Sequence, residues 1–248
     1  MNTFEHLPQH GLEGGQEHSE QHQDNPETTS NTLRSLDEFE PEAADVLRRE
    51  FDLEEFGRYP IEALRAMYRE KDSDGDWGLM IYAKDDYNGA FMHQGPAREL
   101  YESVAATHHL RIVECESLDD IKSQLARLGA KYGPASFAVV NAHGSPETLR
   151  FGEDEKKGVV KRTGAVDKKE LGDALDGILK PGAEVCLAAC STGVEAGIGQ
   201  VVSDETGHDV HGPDDDAALQ SYGAVIKGDS VSFSPRYSGA DSNELTPR

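Results

Sequence analysis

The chain has 248 residues, and its 47 acidic against 24 basic side chains give a formal net charge of −23. Phosphate binding depends on a basic surface, so this charge excludes nucleic acid as an expected partner. The three cysteines are too few, and odd in number, for a disulfide framework. Free thiols in a reducing compartment are therefore expected.

The sequence contains no apolar run of membrane-spanning length, and its amino terminus lacks the basic start and apolar stretch of a signal peptide. These features predict a cytoplasmic protein without membrane contact. They leave export by a signal-independent route open.

Two segments precede the main domain. Residues 1–33 are polar and acidic with few large apolar groups, which predicts a disordered tail. Residues 34–72 are predicted to form a helical extension, with a capping box at Ser35 to Glu38 and a second helix opened by Pro60. The extension is expected to pack on the following domain, with a pro-segment or a docking arm as the alternatives.

Three carboxylates, those of Asp72, Asp74 and Asp76, follow the extension in a short loop. The pattern is similar to the start of a calcium loop, but position 83 is Ala where the bidentate Glu is expected. A structural turn is favoured, and calcium binding is the alternative.

From Trp77 onward, apolar strands alternate with amphipathic helices. This alternation predicts crossover units and a mainly parallel sheet. The predicted fold class is α/β, a three-layer α/β/α sandwich, with the catalytic domain at residues 73–235 and a loose tail at 236–248. Strands are predicted at 79–83, 110–115, 137–143, 184–190, 208–211 and 224–227, and helices at 96–107, 118–128, 168–179 and 194–205.

Two of these strands end on residues that can perform covalent catalysis. One runs from Phe137 to His143 and is followed by Gly144, and the other runs from Glu184 to Cys190. Neighbouring parallel strands would bring the imidazole and the thiol to the same edge of the sheet. An imidazole can activate a thiol and then protonate a leaving amine. The N–H groups of Gly144 and Cys190 are candidate oxyanion donors.

The Ala142-His143-Gly144 and Ala189-Cys190 motifs resemble those of the cysteine peptidase clan that contains caspases, legumain, gingipains, clostripain and separase. The spacing is similar to the roughly 50 residues that separate histidine and cysteine in caspases. The order of elements over residues 77–228 resembles the caspase-like domains of bacterial proteins. This resemblance implies a caspase-hemoglobinase-like fold, hydrolysis of protein or peptide substrates through a thioester, and no cofactor.

The chain departs from the caspase signature Gln-Ala-Cys-x-Gly, because position 188 is Ala and position 192 is Thr. The aspartate specificity of caspases is therefore not carried over. The excess of carboxylates slightly favours a basic residue before the cleaved bond. Neither the specificity nor the oligomeric state is assigned.

Other functions were weighed against the peptidase. A cysteine phosphatase needs an arginine six residues after its nucleophile, and position 196 is Ala. Cys186 and Cys190 on one strand cannot converge on a zinc ion. A catalytically inactive caspase-like interaction module remains the alternative, since a fold alone does not fix function.

Several further residues are not assigned a role in the chemistry of His143 and Cys190. Asn141 and Glu147 are near His143 in sequence, and neither is selected as the group that orients it. Cys115 and Cys186 are expected to be buried and structural. His208 and His211 are expected at the rim of the cleft or on the surface. The basic loop with Lys156, Lys157, Lys161 and Arg162 suggests autocleavage as a hypothesis.

Overall fold

A six-stranded sheet forms the centre of the molecule. The computed structural model describes residues 41–86, 94–153, 158–214, 222–227, 230–235, 242–245 and 247. Its strands are β1 (Trp77–Ala83), β2 (His109–Cys115), β3 (Ala135–Asn141), β4 (His143–Ser145), β5 (Thr148–Arg150), β6 (Val159–Lys161), β7 (Leu179–Ala188), β8 (Val210–Pro213), β9 (Tyr222–Lys227), β10 (Ser230–Pro235) and β11 (Ser242–Leu245). The central sheet has the order β11-β8-β7-β3-β1-β2. Strands β8, β7, β3, β1 and β2 all run parallel, and β11 is antiparallel to β8.

The central strands are buried on both sides. All residues of β1 and β3 are buried, as are all residues of β2 except the first. Strands covered on both faces are continuous apolar runs rather than alternating ones, which is the pattern that the sequence carries. The α/β class and the mainly parallel sheet are confirmed.

The helices are α1 (Pro41–Phe51), α2 (Ile61–Arg69), α3 (Gln94–Val104), α4 (Leu118–Tyr132), α5 (Ala165–Asp176) and α6 (Ile198–Thr206). Helices α4, α5 and α6 pack side by side and connect strands that advance in one direction across the sheet. The right-handed crossover rule places these three helices on one face and α3, which runs from β1 back to β2, on the other. Within the described ranges, no helix has the length and apolarity that a membrane crossing requires.

The order of the strands creates a crevice between β1 and β3. The connection from β1 to β2 passes over one face of the sheet, and the connection from β2 to β3 passes over the other face. In open α/β sheets, ligands bind at such a reversal, outside the carboxyl ends of the strands. The segments that follow Ala83 and Asn141 therefore border the preferred binding position of this fold.

Two smaller sheets flank the central one. Strands β4, β5 and β6 form a three-stranded antiparallel sheet directly after β3. Strands β9 and β10 form a hairpin that contacts β3, β7 and α3. Its Phe233 ring meets the ring of Phe137 edge to face, with the centroids 5.9 Å apart.

The helical extension shares the core of the sheet domain. Buried side chains of α1 and α2, among them Leu47, Phe51 and Leu64, belong to the same apolar cluster as the strands. The Tyr59 hydroxyl donates a 2.7 Å hydrogen bond to the buried carboxylate of Glu114 on β2. The predicted tail at 1–33 and the capping box at Ser35 lie outside the described residues.

The carboxyl-terminal part contains more strand than the sequence indicated. The tail expected to be loose from residue 236 includes β11, which pairs with β8 along the edge of the sheet. The hairpin strand β10 was also not predicted. Strand β11 is an edge strand with polar residues and has no strong apolar pattern. Strand β10 does alternate, with Val231 and Phe233 buried, so its period-two pattern was present in the sequence but short.

All four predicted helices have different limits from those expected. Helix α3 is Gln94–Val104 rather than 96–107, and α4 is Leu118–Tyr132 rather than 118–128. Helix α5 occupies Ala165–Asp176 rather than 168–179, because Leu179 already begins β7. Helix α6 begins at Ile198 rather than at Val194. Ala196 has a positive φ of 59°, which is incompatible with a helix at that position.

Candidate active site

Strands β3 and β7 end side by side at the residues that the sequence singled out. Asn141 and Ala188 are register partners in the parallel ladder. His143 and Cys190 each follow two positions later, so both leave the sheet at the same edge. The side chain of His143 is 12 % exposed, and Cys190 is partly buried.

Gly144 brings the histidine segment against the cysteine backbone. A Cβ atom at position 144 would lie 2.6 Å from the carbonyl oxygen of Cys190 and 2.8 Å from the Cβ of Ala189. Neither distance leaves room for a side chain, so only glycine permits this close approach of two backbones. The structure thus places Gly144 against the backbone of Cys190 and places His143 at the same edge of the sheet.

The chain turns sharply after Cys190. Ser191 adopts a positive φ of 53°, a left-handed conformation that residues with a Cβ rarely occupy. The buried Thr192 hydroxyl donates to the carbonyl oxygen of Ala189 at 2.8 Å. The Gly193 N–H donates to the carbonyl oxygen of Pro213 at 2.6 Å. These bonds fix the turn against β8 and thereby fix the backbone of Cys190.

A carboxylate that the sequence analysis missed lies beside the imidazole. Oδ1 of Asp86 is 3.7 Å from Nε2 of His143, and the Asp86 side chain is only 2 % exposed. Asp86 follows β1, and Tyr82 of β1 pairs with Asn141 of β3. The strand-end rule that selected His143 could also have selected Asp85 and Asp86, since they follow an apolar strand.

The neighbouring Asp85 is held by the strand that pairs with the histidine. Oδ2 of Asp85 lies 3.7 Å from Nε of Arg150, which is the register partner of His143 across β4 and β5. The Asp85 N–H also donates to the carbonyl oxygen of Phe151 at 3.3 Å. The two carboxylates therefore enter the site from a fixed loop.

The imidazole is held in its neutral form. Burial lowers the pKa of His143 below its ordinary value, Asp86 and Asp85 partly oppose this shift, and Arg150 reinforces it. A histidine with a lowered pKa is uncharged at neutral pH, which is the form that can accept a proton.

The two residues considered near His143 have partners elsewhere. Asn141 is fully buried, and its Nδ2 donates to the carbonyl oxygen of Ile81 at 3.4 Å. Oε2 of Glu147 accepts a 2.8 Å hydrogen bond from Nε of Arg162. Asp86, rather than either of them, is the side chain beside Nε2.

The loop suggested for autocleavage is described only in part. Lys156 and Lys157 lie outside the described residues. Arg162 lies inside them. Its Nε pairs with Glu147, and its Nη1 donates to the carbonyl oxygen of Ala196 at 3.4 Å. Autocleavage in this loop stays a hypothesis.

The other two cysteines are enclosed in the core. Cys115 and Cys186 have no exposed surface. Burial raises the pKa of each thiol above its ordinary value. Both are therefore unreactive as nucleophiles, in agreement with the structural role expected for them.

The calcium-like loop is engaged in contacts with lysines. Asp76 pairs with Lys180, Asp72 lies 3.5 Å from Lys71, and Asp74 is exposed. Within the part of the chain that the structure describes, no cluster of three or more His, Cys, Asp or Glu side chains could hold a metal ion. The structural turn and the calcium alternative both stay predictions.

The expectation for His208 and His211 was wrong, because neither side chain is at the surface or on an open rim. They are only 6 % and 7 % exposed. Nε2 of His211 lies 2.8 Å from Oε2 of Glu184, whose other oxygen accepts a 2.7 Å hydrogen bond from Ser232. Strand β10, which the sequence did not predict, covers this part of the sheet.

A groove of about 610 Å³ lies between α4 and α5. Its lining residues come from two segments, 122–134 and 170–178. Most of this lining comes from the helix ends that precede β3 and β7. The groove therefore lies toward the amino edge of the sheet, away from His143 and Cys190 at the carboxyl edge.

Comparison with known proteins gives one family match. Residues 118–227 match a family described as "Domain of unknown function (DUF8616)". The matched span runs from α4 to β9 and includes His143, Gly144 and Cys190, whereas Asp86 and the helical extension precede it. No curated protein matches the chain.

Proposed function

We propose that the protein is a caspase-like cysteine endopeptidase in which Cys190 attacks the peptide bond and His143 transfers the protons. The observation that carries the proposal is the alignment of the two strand ends. Asn141 and Ala188 are register partners. His143 lies two residues after Asn141, and Cys190 lies two residues after Ala188. The finer fold assignment, a three-layer caspase-hemoglobinase-like sandwich, belongs to the same proposal. Its support is the parallel sheet with crossover helices advancing in both directions from β1.

The protonation state of the imidazole supports its role as a base. His143 has a lowered pKa, so the ring is neutral and able to take the thiol proton. Nε2 lies beside Asp86, and a carboxylate there favours the tautomer that carries the proton on Nε2. Nδ1 is then the nitrogen that accepts the proton from Cys190.

The backbone of the two strand ends supplies the oxyanion donors in this proposal. The absence of a side chain at Gly144 allows its backbone to contact the Cys190 segment. Two preorganised N–H groups aimed at one oxygen stabilise the charge that develops in a tetrahedral intermediate. The fixed turn at Thr192 and Gly193 keeps the Cys190 N–H in place.

The reaction then proceeds in two halves. The Cys190 sulfur bonds to the peptide carbonyl carbon while His143 takes the thiol proton, and the C–N bond breaks as His143 returns that proton to the leaving amine. Water next attacks the thioester with His143 as the base, which releases the carboxylic acid and restores the thiol. The substrate is a protein or peptide, and these steps require no cofactor.

A positional-scanning peptide library tests the proposal. Wild-type protein is expected to cleave a subset of peptides, and Cys190→Ala and His143→Gln are each expected to lower kcat/KM by roughly 10³-fold or more. Cys186→Ala is the matched control, because it makes the same chemical change at a buried position of β7, the strand that leads to Cys190. Comparing the intact mass of wild-type protein and Cys190→Ala in the same samples tests autocleavage.

The inactive interaction module predicts a different result. Folded wild-type protein would cleave none of the peptides, and Cys190 would react with an electrophilic peptide probe no faster than with a simple alkylating agent. That outcome would overturn the peptidase proposal and favour a binding role for the domain.

A further inference from the structure

Arg58 in the helical extension binds the end of β1. The residue is 2 % exposed, although arginine is rarely buried without partners. Its Nη1 donates to the carbonyl oxygen of Ala83 at 3.0 Å, and its Nη2 donates to that of Lys84 at 3.1 Å. Asp86, which lies beside His143, follows only two positions later. The guanidinium therefore fixes the backbone from which Asp86 projects.

Arg58 is held from the other side by its own segment and by β2. Its Nε donates to Glu55 at 3.0 Å. The adjacent Tyr59 donates to Glu114 on β2, and the Glu54 N–H donates to the same carboxylate at 2.9 Å. Both sides of the guanidinium are thus attached to fixed structure, so its position is determined by the fold.

Two arginines lie among the carboxylates around the site. Burial acts to lower the pKa of Arg58, but nearby acidic groups raise it above its ordinary value, Tyr59 and Glu55 first and Asp86 among them. Arg150 contacts Asp85 in the same loop. Two guanidinium groups therefore lie among four carboxylates, those of Glu55, Asp85, Asp86 and Glu114.

We propose that Arg58 is a positioning residue that holds the Asp86 carboxylate against His143 through the end of β1. The helical extension is then a permanent part of the working site and not a removable pro-segment. The expected effect of Arg58 on kcat/KM rests on the proposed function. The expected effect of Arg58 on the pKa of His143 does not depend on that function.

The test compares three variants of the full chain. Arg58→Gln removes the positive charge and the pair of N–H donors that bind two carbonyl oxygens. Arg58→Lys keeps the charge but cannot bind both carbonyl oxygens at once. Arg48→Gln is the matched control, since Arg48 lies in the same extension over the ring of Phe56 with its side chain 49 % exposed. The readouts are the pH profile of kcat/KM and the titration of the His143 ring by NMR in the Cys190→Ala background.

Arg58→Gln is expected to lower kcat/KM by about 10- to 100-fold, because the carboxylate beside the base is no longer fixed. It is also expected to lower the pKa of His143, because the Asp86 carboxylate that raises this pKa is no longer held beside the ring. Arg58→Lys is expected to lower both kcat/KM and the pKa of His143 by less than Arg58→Gln does, because lysine cannot bind both carbonyls at once. Arg48→Gln is expected to change neither quantity.

Folded Arg58→Gln with the wild-type rate and the wild-type His143 titration would overturn the inference. If circular dichroism shows that Arg58→Gln does not fold, Arg58→Lys decides: an undiminished kcat/KM or an unchanged His143 titration overturns the inference, and a reduced kcat/KM with a lowered His143 pKa supports it. If wild-type protein cleaves no peptide, the proposed function fails by itself. The NMR titration then still decides the role of Arg58.

Discussion

Nε2 of His143 lies 3.7 Å from Oδ1 of Asp86, and both side chains are almost removed from solvent. The separation is longer than a hydrogen bond, but contacts around a catalytic base often shorten only when substrate is bound. Burial also strengthens the electrostatic interaction between the two groups. The pair therefore makes Asp86 the candidate that orients the imidazole.

Replacing Asp86 with Asn is expected to lower kcat/KM at least about tenfold, because the oriented tautomer of the base is lost. The acid limb of the pH profile should also move. Asp86 raises the pKa of His143, so its removal lowers that pKa, and activity should persist to lower pH than in wild type.

The control for this change is Asp176→Asn, which removes a carboxylate that lies 3.7 Å from Nε2 of His208. That variant should keep the wild-type profile. An Asp86→Asn protein whose acid limb coincides with that of wild type would contradict the assigned role.

The strand ends could be predicted because their signals are local. An apolar run that stops at His143-Gly144, or at Cys190 with small residues after it, is visible in a few consecutive positions. Asp86 also follows an apolar strand, but its pairing with His143 depends on which strand neighbours β3, and that order is set by crossovers along the whole chain. Arg58 was missed for a related reason, since its partners are carbonyl groups of the distant β1.

Accessibility of the three thiols gives a direct chemical prediction. Iodoacetamide should modify native protein at Cys190, whereas Cys115 and Cys186 should react only after denaturation. Both are fully buried, and burial raises the pKa of each, so little thiolate forms. Mass spectrometry of native and denatured samples checks this. Modification of native Cys190→Ala would show that the core is more open than the structure indicates.

Removal of residues 242–248 should expose the edge of β8. Strand β11 pairs with Val210–Pro213, and an open edge invites pairing with another chain. We expect a loss of about 1–3 kcal/mol in the free energy of unfolding, together with self-association. Urea denaturation and light scattering measure these two effects. Removal of residues 247–248 alone is the control, and equal behaviour of the two truncations would mean that β11 contributes nothing.

Gly144→Ala separates the oxyanion role from general stability. The added Cβ would lie 2.6 Å from the carbonyl oxygen of Cys190, so one of the two backbones must move. Misplacing one donor should cost about 10²- to 10³-fold in kcat/KM, with a smaller loss of stability of about 1–3 kcal/mol.

Gly129→Ala is the matched control, because its Cβ would meet Ile178 at 3.7 Å, an ordinary contact, inside helix α4. It should leave kcat/KM unchanged and stabilise the fold by about 0.5–1 kcal/mol, since alanine replaces glycine within a helix. Steady-state kinetics and urea denaturation on both variants measure the contrast. A Gly144→Ala protein with wild-type kcat/KM would mean that this N–H does not point at the reacting oxygen, and the oxyanion would then need a donor other than residue 144.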